Sequence, residues 1–497
     1  MHTLSRYAPR VARRAAVVAT LHSRSGTARA ALRSLPAAVS VVEIRADLAG
    51  DLDPRELRGD RSVQLIYSLR SRRYGGRDAG AVAARRTRLR AAAACGYDLV
   101  DLEAEHDLVP EVLAGIPPRQ RRICWYGAET GLPGLRTVFD RMARVPAALY
   151  LLAPEAGSMA AALPPLQLLA SLGRDDVTAF CTGPAASFSR ILAPFLGAPV
   201  VYGDPAGPTV EQLVTDYFFP DLPKLAGIYG FVGSAPQARY VRLVNAALRE
   251  LSIPSLLVPF VVPEPVGFET EFWPAVSAGL LDQLGLPLRS LTVARPHKPA
   301  AFAAAAVADL QAQAARAANL LIRESMPTGP RWRAVITNGS ALLATLLDRG
   351  PVAGVPVAII GCGGAGRAAA FVLSGAGARV TLANRSASRG ELAASELGLP
   401  YVPLAKLRPE RYAVLVHATP VYDRIPFELG SLAADTTVAD FVCAGRRSAL
   451  TTATRQRGLA TIDGPELVLH EVRHHFQIAT GQPFPASIGR REDEVSP

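Results

Sequence analysis

Short apolar runs alternate with Ala-, Arg- and Leu-rich stretches of helical periodicity from about residue 15 to residue 220. Seven of these runs are predicted to be strands, at residues 16–21, 39–44, 63–68, 99–102, 122–125, 148–152 and 178–181. Seven or eight strand–helix units in about 200 residues are typical of a (β/α)8 barrel, in which ligands bind at the carboxyl ends of the strands. We therefore predict an α/β protein that begins with such a barrel, over residues 1–222.

The pattern changes after a proline-rich stretch at 218–227, which we interpret as a linker. The residues beyond it predict a strand, a helix and a second strand, at 228–232, about 241–251 and 255–262. They belong to a second α/β region, predicted over 226–335. A closing helix at 465–479, in a C-terminal segment of 465–490, is expected to pack back onto this region and complete it.

A glycine turn marks the start of a third region, predicted over 336–464. The apolar run at 357–360 ends in the turn, an Ala-rich helix follows, and a second apolar run returns at 380–383. The turn is formed by small residues: Gly361, Gly363, Gly364, Ala365 and Gly366. This is the pattern of the first βαβ unit of a Rossmann domain, in which glycine lets the backbone approach a pyrophosphate at the helix N-terminus.

The end of the second apolar run predicts which dinucleotide binds. An acidic residue there holds the ribose 2′-hydroxyl of NAD. Here the chain has Asn384, Arg385 and Ser386 instead, which offer a cation and a hydroxyl group suited to a 2′-phosphate. The sequence therefore predicts NADP as the cofactor.

Composition limits the remaining possibilities. The chain has 497 residues, 49% hydrophobic and 20% charged, which is typical of a globular protein of two or three domains. No apolar run is long enough to cross a bilayer, and five scattered cysteines lack metal-ligand spacing, so we expect a cytoplasmic protein without a membrane or metal site. The net charge of +11 comes from arginines spread along the chain, which argues against nucleic acid as a partner. The oligomeric state stays open.

Lysine is scarce in this sequence. Only Lys224, Lys298 and Lys406 are present, and arginine supplies nearly all the positive charge. Because a guanidinium group hardly deprotonates, any chemistry that needs an amine has three candidates at most.

The second and third regions together resemble shikimate dehydrogenases over about 270 residues. The resemblance rests on the glycine turn with Asn384–Arg385–Ser386, on Val-His-Ala-Thr-Pro-Val at 416–421 and on Val-Ala-Arg-Pro-His-Lys at 293–298. It implies a substrate domain beside the NADP domain and a small cyclic hydroxy or keto carboxylate as the ligand. It also implies that Thr419 and Pro420 contact the cofactor and that Lys298 assists proton transfer to the substrate.

Other positions depart from that family. Asn338 stands where the family has an aspartate that partners the lysine, and it can hydrogen-bond a hydroxyl group but cannot carry charge. Arg239 and Tyr240 replace a serine pair that binds the substrate carboxylate, and Glu471 replaces a substrate-binding glutamine. Asn319 matches a family asparagine. The resemblance thus implies catalytic roles for Lys298 and Asn338, and substrate contacts for the other four residues.

The N-terminal region resembles type I 3-dehydroquinate dehydratases over about 200 residues. Motifs at strand ends and before a late helix match, and they imply substrate contacts for Glu43, Arg45, Arg70, Glu103 and Arg190. That family works through a Schiff-base lysine and a histidine. No lysine precedes Lys224, and Tyr126 stands in place of the histidine, so we expect no lyase activity.

Two hypotheses follow from these patterns. The first is an NADP-dependent dehydrogenase of the shikimate or quinate type, fused to a dehydratase-like barrel in the order known from fusions of the shikimate pathway, which leads to aromatic amino acids. The second is a pseudoenzyme that binds NADP or a pathway metabolite as a sensor or scaffold, which the altered substrate motifs favour.

Overall fold

The computed structural model describes residues 14–22, 25–59, 61–129, 131–204, 207–235, 237–327, 329–443 and 447–488. The chain divides into two compact units. The first comprises Met1–Ile228 and Ala235–Leu288, and the second comprises Tyr229–Ser234 and Arg289–Pro497.

Eight parallel strands form a nearly closed barrel in the first unit. They are β1 Ala16–Leu21, β2 Val39–Arg45, β3 Gln64–Ser68, β4 Leu99–Glu103, β5 Arg121–Trp125, β6 Leu149–Leu152, β7 Val177–Ala179 and β8 Val200–Tyr202. Their order is β7-β6-β5-β4-β3-β2-β1-β8, and each neighbouring pair is parallel. The seven predicted strands are all present: β1 has the predicted ends, and the ends of the other six are shifted by one or two residues. β8 was not predicted; like β7, it has only three residues.

Short helices connect the barrel strands. They are α1 Ser25–Ser34, α2 Ala46–Ala49, α3 Pro54–Arg58, α4 Val82–Cys95, α5 Pro110–Gly115, α6 Leu132–Met142, α7 Pro164–Leu172, α8 Ser187–Leu192 and α9 Val210–Thr215. Helix α9 begins with a capping box, in which the Thr209 hydroxyl accepts from the Gln212 amide and the Gln212 side chain accepts from the Thr209 amide.

Successive side chains of a strand point to opposite faces of the barrel wall, so every second residue faces the interior. Several of the interior-facing residues are polar. Arg122 on β5 donates hydrogen bonds to Asp101 on β4, Glu43 on β2 and Tyr202 on β8. The sequence of β5, Arg-Arg-Ile-Cys-Trp, is entirely buried and therefore places a guanidinium group inside the barrel.

Five further elements follow the barrel: β9 Gly227–Gly233, α10 Ala238–Glu250, β10 Ser255–Val261, α11 Pro265–Gly267 and α12 Trp273–Ser277. Helix α10 is amphipathic and buries Asn245, whose side chain donates to the Leu257 carbonyl and accepts from the Leu257 amide on β10. These two hydrogen bonds fix α10 on the strand that follows it.

The second unit opens with a mixed sheet. Its elements are β11 Leu288–Val293, α13 Lys298–Ala304, β12 Val307–Ala308, α14 Leu310–Ala315, β13 Leu320–Met326, β14 Gly329–Val335 and α15 Asn338–Leu347. Together with β9, these strands lie in the order β9-β11-β13-β14-β12, with β13 antiparallel to both of its neighbours and β12 parallel to β14.

A parallel sheet of six strands completes the second unit. Its elements are β15 Pro356–Ile360, α16 Gly364–Gly375, β16 Arg379–Asn384, α17 Ala387–Leu397, β17 Tyr401–Pro403, β18 Val414–His417, β19 Thr437–Asp440, α18 Ala449–Gln456, β20 Ala460–Ile462 and α19 Gly464–Thr480. The order β17-β16-β15-β18-β19-β20 is that of a Rossmann domain, in which ligands bind at the carboxyl ends of the two central strands, here β15 and β18, where the strand order reverses. The predicted α/β fold class, with a barrel followed by a Rossmann domain, is confirmed.

The closing helix is shorter than the predicted C-terminal segment. α19 ends at Thr480 because Gly481, with φ 73°, adopts the left-handed conformation that stops a helix. Residues 489 and 490 of the predicted segment lie outside the described residues. α19 packs against α15, which lies in the predicted third region. The packing of α19 onto the second region stays a prediction. In the part of the chain that is described, no helix has the length and apolar character needed to span a bilayer.

Candidate functional site

The glycine turn after β15 is built for close backbone approach. Gly361 has φ 111°, and a Cβ atom there would lie 2.8 Å from Thr419 Cγ2. A Cβ atom at Gly366 would lie 1.9 Å from the Gly361 carbonyl oxygen, whereas one at Gly363 would meet no atom within 4 Å. The inner side of the turn is therefore closed to side chains and its outer side is clear. Gly364 and Ala365 follow as the first residues of α16, so the helix N-terminus lies at the open side, as a pyrophosphate requires.

The end of β16 holds the predicted 2′-phosphate residues. Asn384 Nδ2 donates to the Ser386 carbonyl at 2.9 Å, which shapes the loop before α17. Arg385 is exposed, and the Ser386 hydroxyl lies 3.2 Å from the Ser388 hydroxyl. An exposed cation beside two hydroxyl groups suits a phosphate dianion.

A buried pair that the sequence analysis missed supports Thr419. His417, at the end of β18, places Nδ1 3.0 Å from Asp440 Oδ1 and Nε2 2.5 Å from Thr419 Oγ1. Asp440, at the end of β19, also accepts from the Ser448 hydroxyl. His417 and Asp440 are both fully buried, so the Thr419 side chain is held against the glycine turn. Pro420, which is exposed, follows it.

Lys298 and Asn338 meet, as the resemblance implies. Lys298 is the first residue of α13, and its Nζ donates to Asn338 Oδ1 at 3.0 Å. Asn338 is the first residue of α15, and its Nδ2 donates to Glu471 Oε1 on α19. The next residue, Gly339, lets α15 lie close to α16, because a Cβ atom there would be 2.3 Å from the Ala368 carbonyl oxygen. The fold therefore brings three predicted site residues into one hydrogen-bonded row.

Burial dominates the electrostatics of this row. Burial lowers the pKa of Lys298, and Arg295 lowers it further, while the Glu471 carboxylate acts in the opposite direction. Burial raises the pKa of Glu471, against the influence of Lys298 and the Asn338 hydrogen bond. Each group is therefore closer to its neutral form than it would be in water.

Asn319 supports the turn before Asn338. Its Oδ1 accepts from the Thr337 amide at 2.9 Å and its Nδ2 donates to the Thr337 hydroxyl at 3.1 Å. The same hydroxyl lies 2.8 Å from His475 Nε2, and burial lowers the pKa of His475 to about 3. Both polar ends of the Asn319 side chain are thus engaged within the protein. Its contact with substrate stays a prediction.

Arg239 and Tyr240 lie in the first turn of α10, which belongs to the first unit. Tyr240 is buried and Arg239 is half-buried. Their predicted contact with the substrate carboxylate stays a prediction.

In the barrel, Glu43, Arg70 and Tyr126 lie together. Glu43 Oε1 is 3.4 Å from Arg70 Nη2, which also donates to the Tyr126 hydroxyl at 2.8 Å. Burial would raise the pKa of Glu43, but Arg122, Arg70 and Arg45 outweigh it and hold that pKa at about 2. Arg122, which the sequence analysis did not select, donates to Glu43 Oε2 at 3.2 Å and to Asp101 at 2.8 Å.

The other predicted barrel residues are held by separate partners. Arg45 makes a two-pronged contact with Asp47, at 2.8 and 2.7 Å. Glu103 accepts from the Ser71 amide at 2.7 Å, and Arg190 Nη1 lies 2.9 Å from Asp204. Protein groups therefore already engage the arginines that are predicted to bind a carboxylate, and their contacts with substrate stay predictions.

Both halves of the chain are similar to known proteins. Residues 17–213 match the family model of type I 3-dehydroquinase. A shikimate dehydrogenase (NADP+) of Acidiphilium cryptum is 33% identical over 259 residues, which cover 50% of this chain and 87% of that protein. The chloroplastic bifunctional 3-dehydroquinate dehydratase/shikimate dehydrogenase of Arabidopsis thaliana is 24% identical over 488 residues, 90% of this chain and 79% of that protein.

A solved dehydroquinate dehydratase and shikimate dehydrogenase from S. pombe aligns over 96% of this chain and 98% of that chain, with 16% identity and a TM-score of 0.44. By fold and motifs, the molecule is a barrel joined to an α/β protein with a Rossmann domain. The chain belongs to the shikimate dehydrogenase family, and the residues that match the type I 3-dehydroquinase model precede that part.

Proposed function

We propose that this protein is an NADP-dependent oxidoreductase that interconverts 3-dehydroshikimate and shikimate, or a related cyclic keto acid and its alcohol. The main support is that Lys298, half-buried and hydrogen-bonded to Asn338, lies in the same compact unit as the glycine turn. The relatives from Acidiphilium cryptum and Arabidopsis thaliana, which are named for shikimate dehydrogenase activity, favour this substrate class.

The residues of the Rossmann domain fit the cofactor. The open side of the turn at Gly363 and the N-terminus of α16 would hold the pyrophosphate, and Arg385 with Ser386 would hold the 2′-phosphate. NADPH held there would supply a hydride for the carbonyl carbon of the substrate.

Lys298 supplies the proton in this proposal. Its Nζ gives a proton to the substrate oxygen as the alcohol forms and recovers one in the reverse direction. Because burial lowers its pKa, Lys298 releases a proton more readily than an exposed lysine does. Asn338 Oδ1 already accepts from Nζ, so the amide fixes the direction of the ammonium group and orients the hydroxyl group beside it.

The barrel, in this proposal, has no Schiff-base lyase activity. Residues 1–222 contain no lysine, and Tyr126 is bound by Arg70 where the dehydratases have a histidine. The paired charges of the barrel interior support a structural or ligand-binding role instead.

The test is oxidation of NADPH by the purified full chain with 3-dehydroshikimate and 3-dehydroquinate. We expect turnover with at least one of these acids, and Arg385→Gln should weaken the preference for NADPH over NADH by about 10-fold or more. Tight NADPH binding without turnover on any cyclic keto acid would overturn the proposal in favour of a binding protein. Borohydride trapping with 3-dehydroquinate should give no adduct, and a covalent adduct would refute the barrel part.

A further inference from the structure

Three side chains of the second unit form a row with a defined polarity. A protonated Lys298 Nζ can donate hydrogen bonds but cannot accept them. The Asn338 side chain therefore turns its carbonyl oxygen toward Nζ. The amide nitrogen then points the other way and donates to Glu471 Oε1. The acceptor end of one neutral amide thus faces a cation, and its donor end faces an anion.

The charged groups around this row are few. Arg295 and Glu471 act on Lys298, and they act in opposite directions. On α19, His475 lies one turn after Glu471, and His474 is the residue directly before His475. Burial lowers the pKa of both histidines, so both are neutral near pH 7. Glu471 is therefore the negative group that acts on Lys298.

We propose that Glu471 is a positioning residue that balances the Lys298 ammonium through the Asn338 amide, rather than a group that binds the substrate. The proposal rests on the proposed role of Lys298 as the proton donor. When the ketone is reduced, an N–H bond of Lys298 breaks, an O–H bond of the alcohol forms, and hydride from bound NADPH reaches the carbon. Lys298 is then a neutral amine, and a proton from water restores the ammonium, which Glu471 stabilises.

The position of the carboxylate has a chemical consequence. A carboxylate bonded directly to a lysine holds the ammonium strongly, whereas one on the far side of an amide acts over a longer distance and more weakly. Lys298 therefore combines a definite orientation, fixed by Asn338, with a proton that is released more easily. Exchanging the amide and the carboxylate between positions 338 and 471 should reverse this balance.

Direct titration of the lysines tests the charge balance without any turnover. The chain has three lysines, so a protein labelled with ¹³C-lysine gives three side-chain signals that can be followed with pH. In Glu471→Gln the pKa of Lys298 should fall by about one unit, and in Asn338→Asp it should rise by a similar amount. The double variant Asn338→Asp/Glu471→Gln should lie at or above the wild-type value. Lys224 and Lys406 serve as internal references.

Glu466→Gln is the matched control. Glu466 is on the same helix, where it pairs with Arg349 at 3.0 Å, and its loss should leave the Lys298 titration unchanged. A Lys298 titration in Glu471→Gln that matches the wild-type curve would overturn the proposal, as would an upward shift. If Glu471→Gln does not fold, the comparison of Asn338→Asp and the double variant with the wild type decides in the same way.

Activity provides a second readout. Reduction needs the protonated lysine, so the rate falls as pH rises through its pKa, and this alkaline limb should move to lower pH in Glu471→Gln by the shift seen in the titration. The double variant should move the limb back. Absence of turnover in the wild type would refute the proposed function and leave the titration to decide on Glu471. If the wild type turns over but Glu471→Gln shifts neither the alkaline limb of the pH–rate profile nor the Lys298 titration, only the role of Glu471 is refuted.

Discussion

Opposite charges that are buried in the barrel and half-buried in the second unit are arranged differently. In the barrel, Arg122 is 1% exposed and contacts two carboxylates directly, Asp101 at 2.8 Å and Glu43 at 3.2 Å. In the second unit, a neutral amide separates Lys298 from Glu471. Direct contact favours permanent ionisation, whereas separation leaves each group closer to neutral.

The choice of cation strengthens this difference. A guanidinium group does not release its proton in a protein, so the barrel network has a fixed charge and acts as scaffold. An ammonium group releases its proton more readily when burial lowers its pKa, as it does for Lys298. In a chain with only three lysines, the half-buried Lys298 is therefore the lysine that we propose to transfer the proton.

The largest expected effect is on turnover. Lys298→Met removes the proton donor but keeps the volume of the side chain, so the rate of NADPH oxidation should fall by about 10²- to 10⁴-fold, with NADPH affinity retained. Lys406→Met is the control, because Lys406 is exposed in the Rossmann domain. Unchanged turnover in Lys298→Met would show that Lys298 is not the proton donor, and the proposed contrast between a proton-releasing lysine and the fixed charges of the barrel would fail.

The next effect is on stability. Arg122→Met leaves Glu43 and Asp101 buried without their shared cation and should destabilise the barrel by about 3–5 kcal/mol. Urea unfolding followed through Trp125 on β5, with Trp273 and Trp332 replaced by Phe, reports on the barrel.

Arg136→Met is the control for the Arg122 variant, because Arg136 pairs with Asp140 on the surface and its loss should cost less than about 1 kcal/mol. Adding Glu43→Gln and Asp101→Asn to Arg122→Met should restore much of the loss. Equal stability of the Arg122 and Arg136 variants would mean that the barrel network does not act as scaffold.

Most of the fold was predictable because its signals are local. Seven of the eight barrel strands were predicted from apolar runs, including β7 with only three residues, whereas β8, which is equally short, was not predicted. The glycine turn was predictable for the same reason, since the close approach at Gly361 and Gly366 is written into adjacent residues.

The missed residues depend on contacts between distant parts of the chain. Arg122 and Glu43 are 79 residues apart, and His417 and Asp440 are 23 apart, so no spacing rule connects them. A charged residue inside a buried apolar run, as in β5, is the one local signal that pointed to Arg122. Glu471 was selected only through a resemblance, and its bond to Asn338 needed the packing of α19 on α15.

A pH-dependent loss of stability should separate the two regions. The pKa of His475 is about 3 in the folded chain, so the unfolded state binds a proton first as pH falls below 6.5, and stability is lost between pH 6.5 and 3 at up to about 1.4 kcal/mol per pH unit. The pKa of Glu43 is about 2, so its contribution is present above pH 4.5 and is lost only between pH 4.5 and 2.

Melting temperatures between pH 7 and pH 5 check this order. His475→Gln keeps a partner for Thr337 and should flatten the decline in this range, whereas Glu43→Gln should leave its slope unchanged. A decline that is equally steep in wild type and His475→Gln would contradict the assignment to His475.

The smallest expected effect is on NADPH affinity and concerns the hydrogen-bonded pair His417 and Asp440 in the Rossmann domain. His417 and Asp440 resemble the barrel network in being buried and directly bonded, and they hold Thr419 beside Gly361. His417→Asn shortens the side chain and releases the Thr419 hydroxyl, so NADPH binding should weaken by about 3- to 10-fold, the value of one hydrogen bond. Fluorescence titration with NADPH measures this change, and His470→Asn on α19 is the control. An NADPH affinity that is unchanged in His417→Asn but weakened in Thr419→Val would mean that the turn itself holds Thr419 and that the His417–Asp440 pair does not support the cofactor site.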